Sequence, residues 1–407
     1  MFYQIIYVVD TRCVRSIAKL ISFDKTFYLQ NSESFSNFYK KISEHAQGKA
    51  RFLISTLIVF TIKILAVFFM YSRLSIIGTF YTPWMTKWTE IQLIYDWLYL
   101  FCAWDTGFYV QIAMNWYFHP AYAFFPAYPS LIRIFSYVIG DEWLSATLLS
   151  FILGIGCVPT FQILAEEYHT KKNAFISTML MAFFPYIFLF TTIAYTESLF
   201  FLTTILSWYL YKKEKLIHSS IAVAIASLTK LYGLFIIIPI FIDILHNRTF
   251  RKIPYYSFPI LAFFSWLFYL FKTTGDWMIF MRSQSYWADL RMEFNWINSY
   301  LKPILSFDIW QISEFDYMLI AFVAFIGYLI LNILSLDFKL GIYSIFMYFS
   351  LLFFGNFHSM PRFFSFIFPI WLNSKLKNLF VLFIIIPFFI LISLLIWYHF
   401  LLGQWIA

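Results

Sequence analysis

Charge is scarce in this chain. Only 12% of its 407 residues are Asp, Glu, Lys or Arg, while 61% are hydrophobic. A water-soluble domain of this length needs more polar surface, so the composition excludes one. Cysteine is scarce too. Cys13, Cys102 and Cys157 form neither a C-x-x-C pair nor a metal spacing, and nothing argues for a disulfide framework. The chain has no P-loop, no G-x-G-x-x-G, no H-E-x-x-H and no catalytic-triad signature, which leaves cytosolic nucleotide chemistry without a visible site. An internal repeat is missing as well. That weakens a secondary transporter, in which two related halves are common. The polar first fifty residues hold no long apolar core and no cleavage pattern, so a signal peptide is not expected.

What the chain has is apolar runs. They fall at about 52–71, 143–164, 174–193, 197–211, 217–229, 233–245, 254–271, 317–335, 340–354, 363–373 and 379–402. The stretch Leu379 to Leu402 does not alternate as a barrel strand would. Backbone in lipid is then satisfied only as helix. The expectation is an all-α polytopic membrane protein of about 11 transmembrane helices. Runs of 11 to 15 residues fall short of the roughly 20 needed for a full span and are expected to be tilted or broken.

With the N-terminus inside, the inner segments hold nineteen Lys and Arg and the outer ones nine, which favours that orientation. The same bias accounts for the net charge of +8 and removes the need for a nucleic-acid partner. Residues 1–51 then form a polar cytosolic segment, and 52–407 a single transmembrane domain with outer loops at about 72–142 and 272–316. Twelve acids fall outside and eight inside. Acids barely influence orientation, so a site on the outer face is one explanation. Residues 129–140, with Arg133 inside an apolar run, read as a helix lying on the membrane.

Asp105 stands out within the first outer loop, directly after Trp104. A carboxylate among aromatics near a membrane loses water and gains basicity, as a general base requires. The other reading is an acid capping the helix that follows. Tyr122, Tyr128 and the Phe124-Phe125 pair lie among Pro120, Pro126 and Pro129. They form either a wall for a sugar or an interfacial aromatic belt. Thr196 and Glu197 open a span, where both suit a helix cap; a near-membrane acid such as Glu197 also tends to be functional. Lys230 interrupts the run Ile217 to Leu245. A cation at such a break either grips a phosphate or snorkels to the interface. His358 and Arg362 share a short outer turn that suits a phosphate or is simply a polar loop. Gly275-Asp276-Trp277 and Gln284 to Asp289 either contact an acceptor or fold the second loop.

Taken together, Trp104-Asp105, Ala123-Phe124-Phe125-Pro126-Ala127-Tyr128-Pro129, Ala194-Tyr195-Thr196-Glu197-Ser198-Leu199-Phe200 and His358 … Arg362-Phe363 resemble the PIG-V family. That family contains the second mannosyltransferase of GPI-anchor synthesis and its prokaryotic relatives. The resemblance runs from about 100 to 375. It implies a GT-C glycosyltransferase architecture, with interfacial helices in the first outer loop and a catalytic acid there that Asp105 matches. It implies a dolichyl- or polyprenyl-phosphate mannose donor and a lipid-linked glycan acceptor, with Trp104, Tyr128, Glu197, Lys230, His358 and Arg362 around the substrates. No metal or cofactor is expected, and a small membrane accessory subunit is a conceivable partner. Short loops point to the prokaryotic branch. The location would be the cell membrane in a prokaryote and the endoplasmic reticulum membrane in a eukaryote. A multi-span lipid or solute transporter or flippase, and a non-catalytic assembly subunit, are the competing classes.

Overall fold

The computed structural model describes residues 50–77, 96–286, 314–354, 359–372 and 379–402. Residues 1–49 of the proposed cytosolic segment, His358 and most of the second outer loop lie outside them. All regular structure among the described residues is helical. Among the described residues, four helical stretches are long and apolar enough to cross a membrane: Arg51–Arg73, Glu142–Ala165, Phe250–Thr274 and Phe380–Leu401.

Helix α1 is Ala50–Ile77. The first loop then carries α2, Thr106–Asn115, and α3, Ala127–Ile139. The α3 stop and the α4 start (Glu142–Ala165) are written in two adjacent residues. Gly140 takes the left-handed conformation at φ +86° that closes α3, and the Asp141 side chain accepts the Leu144 amide to open α4. Helices α5, Lys171–Phe183, and α6, Pro185–Phe190, follow. Next come α7, Glu197–Lys212; α8, Leu216–Thr229; α9, Ile237–His246; and α10, Ser257–Thr274. The short α11, Ile279–Arg282, precedes α12, Glu314–Leu336, and α13, Phe338–Phe354. The chain ends on α14, Met360–Ser365, and α15, Phe380–Leu401.

Two apolar runs are not continuous helices, and one of them, 363–373, is among the short runs expected to be tilted or broken. The run 174–193 is cut between α5 and α6, because Pro185 has no amide to continue the ladder. The run 363–373 becomes the end of α14 and a 3-10 turn over Phe368–Leu372, with Pro361 and Pro369 at the two starts. Elsewhere the runs and helices coincide within a few residues.

Helices α4, α7 and α8 form the centre. Their facing sides carry Phe161, Phe201, Ile205 and Val223, all buried. The outward sides are apolar and open: Leu65, Phe68, Leu261, Leu331, Ile384 and Phe388 each expose more than half their surface. Scattered exposed apolar residues are ordinary in soluble proteins, but apolar surface on this scale needs lipid.

Ionic contacts gather at the two ends. One end is built by the loops expected inside. There Arg51 grips Glu166 through two nitrogens at 2.8 and 2.6 Å, Lys213 pairs with Glu167 at 2.7 Å, and Lys252 with Glu214 at 2.7 Å. Asp243 takes both Lys339 and Tyr211. The opposite end is tied by Trp397 donating to the Leu100 carbonyl at 2.8 Å and Trp104 to the Phe400 carbonyl at 3.4 Å.

One charge sits between the ends. Lys63 is 1% exposed and donates to the Phe188 carbonyl at 3.2 Å and to the Thr191 carbonyl and hydroxyl at 2.9 and 2.7 Å. It thereby caps α6, whose last carbonyls have no helical partner. Gly154 of α4 makes the approach possible: a Cβ there would meet the Thr191 carbonyl oxygen at 2.1 Å. Lys63→Ala orphans the Thr191 carbonyl, whereas the Phe188 carbonyl keeps the Thr192 hydroxyl at 2.6 Å. One orphaned buried acceptor costs about 1–3 kcal/mol, so the variant is expected to unfold at lower temperature in a detergent melt; an unchanged melt would remove this capping role.

Candidate functional site

Two non-helical segments meet at the second end and fix the first carboxylate. The Ala194 amide donates to the Phe101 carbonyl at 3.0 Å, the Thr106 hydroxyl to the Ala194 carbonyl at 3.0 Å, and the Asp105 amide to the Tyr195 hydroxyl at 3.2 Å. Trp104, just before, is held at φ +54°, a left-handed conformation that a non-glycine residue adopts only under constraint. Asp105 occupies the N-cap position of α2, yet its side chain makes no capping hydrogen bond. The capping reading therefore fails, and the carboxylate is turned to something else.

It faces Arg362. The Arg362 Nη1 lies 3.8 Å from Asp105 Oδ2, and its Nε lies 3.4 Å from Glu197 Oε1. Lys230 donates to that same Glu197 oxygen at 2.9 Å. Four charges from α2, α7, α8 and α14 thus converge, balanced two against two. The Glu197 side chain is 1% exposed and Arg362 6%. Ions so far from water persist only when paired. Aromatic faces add to the hold: the guanidinium lies over Phe363 at 4.6 Å, Phe190 at 5.1 Å and Tyr195 at 5.6 Å, and the Lys230 ammonium over Phe363 at 5.0 Å.

Burial pushes the Asp105 carboxyl above its ordinary range, Arg362 and Lys230 oppose that, and Glu197 adds to it; the net direction is upward. The carboxylate is therefore a stronger base than one in water. Thr196, at the N-cap of α7, accepts no helix amide; its hydroxyl donates to Glu197 Oε2 at 3.3 Å.

Lys230 does not snorkel. It sits where α8 ends and a 3-10 turn, Leu231–Ile236, begins, so the two short runs do meet at the cation. A narrow cleft with about 10 Å³ of free volume opens beside it, lined by Glu197, Phe200, Lys230, Tyr232, Met347, Leu351, Phe363 and Phe366. The wall is apolar apart from the charged pair and the Tyr232 hydroxyl.

Four of the residues singled out from sequence are brought together: Asp105, Glu197, Lys230 and Arg362. Trp104 flanks them. Tyr128 does not join them. It is fully buried, and its hydroxyl bonds the Ala146 carbonyl at 3.0 Å and Ser150 at 2.6 Å. Ser150 in turn donates to the Tyr195 carbonyl at 2.8 Å, so Tyr128 braces the segment below the site instead of walling it. His358 lies outside the described residues. Sequence reasoning quoted Tyr195 only as part of a motif and passed over Phe190 and the cleft residues Met347 and Leu351, which carry no charge to draw the eye. Among the described residues no group of three or more His, Cys, Asp or Glu could hold a metal ion.

Gly233 presents Lys230. Its amide bonds the Lys230 carbonyl at 2.9 Å, and a Cβ would strike the Ala226 carbonyl carbon and oxygen, both at 2.2 Å. Backbone cannot yield cheaply there, so Gly233→Ala is expected to cost about 1–3 kcal/mol and to lower the melting temperature; a melt equal to wild type would show the turn to be looser than described. No protein-family model matches this chain, and no curated protein or solved structure does either, so its chemistry is read from these four side chains.

Proposed function

We propose that the protein is a membrane glycosyltransferase that moves mannose from a dolichyl- or polyprenyl-phosphate donor to a lipid-linked glycan at the non-cytosolic face, with inversion. The observation that carries this reading is the uncapped, basic Asp105 beside two cations at the edge of an apolar cleft. In it the chain crosses the membrane about eleven times in a GT-C arrangement. The broken pair α5–α6, the turn at Lys230 and the segment 359–372 serve as interrupted crossings. Helix α3 lies at the interface, because it leaves Ile134, Tyr137 and Val138 largely uncovered while burying Tyr128 and Ile132. The membrane is the cell membrane in a prokaryote or that of the endoplasmic reticulum in a eukaryote.

The transfer has three parts. Asp105 takes the proton of an acceptor hydroxyl, and that oxygen attacks the anomeric carbon from the side opposite the phosphate. The bond from the anomeric carbon to the phosphate oxygen breaks, and the electron pair leaves with the lipid phosphate. Lys230 and Arg362 stabilise that anion, already a good leaving group, so strong acid assistance is not required. The apolar cleft residues accept the first units of the prenyl chain, whose tail stays in the bilayer.

Asp105→Asn preserves shape and removes the base. Transfer from a synthetic polyprenyl-phosphate mannose is expected to fall about 10²–10⁴-fold while a cooperative melt is retained; near-normal turnover would take Asp105 out of the catalytic role. Asp105 must be ionised to accept a proton. Because its carboxyl is raised, the wild-type rate should decline as pH falls, at a pH above the roughly 4 of a free aspartate. A profile flat down to that value would contradict the buried-base account.

A further inference from the structure

Glu197 is the one member of the cluster that the transfer leaves without a step. Its position is specific. A single oxygen, Oε1, receives Lys230 at 2.9 Å and faces the Arg362 Nε at 3.4 Å. That oxygen marks the point where the two cations converge. The rest of the guanidinium is committed: Phe190, Tyr195 and Phe363 lie against its faces and Asp105 against its Nη1 edge. The Lys230 ammonium is likewise covered on one side by Phe363. Glu197 and Lys230 both line the cleft, so a head group entering along Tyr232, Met347 and Leu351 arrives at the Glu197 contact.

We propose that Glu197 is a resident anion: its carboxylate competes with the lipid phosphate for the same two cations and is displaced when that phosphate binds. The inference rests on the reading of Lys230 and Arg362 as the phosphate seat. Its physical basis is the cost of burying two cations near each other without an anion. The carboxylate meets that cost between substrates and is also poised to retake the cations as the product phosphate departs. Donor affinity is thereby weakened and product release eased. A residue that simply held the substrate would act in the opposite sense.

The test uses the full chain in nanodiscs of zwitterionic lipid, with farnesyl phosphate as probe and farnesol as its uncharged control. Wild type should prefer farnesyl phosphate to farnesol, and Lys230→Gln should abolish the preference. Glu197→Gln should bind farnesyl phosphate at least about tenfold more tightly, a displaced charge-assisted contact being worth that much, with farnesol binding unchanged. In the transfer assay its KM for the donor should fall together with kcat. Equal or weaker binding of farnesyl phosphate by Glu197→Gln, beside a wild type that retains its preference, would overturn the resident-anion proposal alone. Loss of any preference in wild type would overturn the phosphate seat and this proposal with it. If Glu197→Gln shows no cooperative melt, Glu197→Asp replaces it; one methylene shorter, it cannot span both cations and should also tighten binding, and failure to do so counts against the proposal.

Discussion

Two buried cations and two carboxylates must neutralise one another, and much of the second end of the molecule is arranged so that they can. Arg362 is the hinge of that arrangement, since it is the only one of the four paired with both acids. Its aromatic surround excludes water and fixes the guanidinium plane. Lys230 completes the set from the end of α8. Removing any one member would leave an uncompensated charge in a place where such a charge is costly. The cluster therefore acts as a unit, although its members are separated by up to hundreds of residues in the chain.

The backbone departs from regular helix where this unit is held. Pro185 breaks an apolar helical run and leaves the segment 191–196 free to bond the segment before α2. Lys63 closes the broken helix from below, and Gly154 lets α4 come close enough for that contact. Gly233 folds the turn after Lys230 against α8. Irregular backbone at such depth is tolerated where protein buries it or a cavity receives it. The stability of the bundle and the placement of the charges are thus met by the same few positions.

Much of this was legible in the sequence, and the limits have physical causes. The helical class followed from apolar runs that do not alternate, and most helices lie where those runs do. The prolines at 185, 361 and 369 mattered more to local geometry than hydropathy did: Pro185 breaks the run 174–193, and the short run 363–373 is broken as its length led one to expect. Asp105, Glu197, Lys230 and Arg362 were visible because a charge amid so much Phe and Leu has few innocent explanations. Tyr128 was misplaced because an aromatic ring near prolines looks the same whether it walls a site or braces it; only the Ser150 hydrogen bond distinguishes the two. The role of Lys63 is not legible in the sequence, since its carbonyl partners on another helix leave no trace in local pattern.

The central claim is that this site adds a hexose to a lipid-linked acceptor. Mass spectrometry of lipid-linked glycans from cells lacking the protein examines that claim without assuming an acceptor. The account predicts accumulation of one intermediate shorter than the normal product by a single hexose, cleared when the wild-type chain is restored. An unchanged glycan profile, or a loss of lipid carrier from one leaflet with every glycan intact, would contradict it.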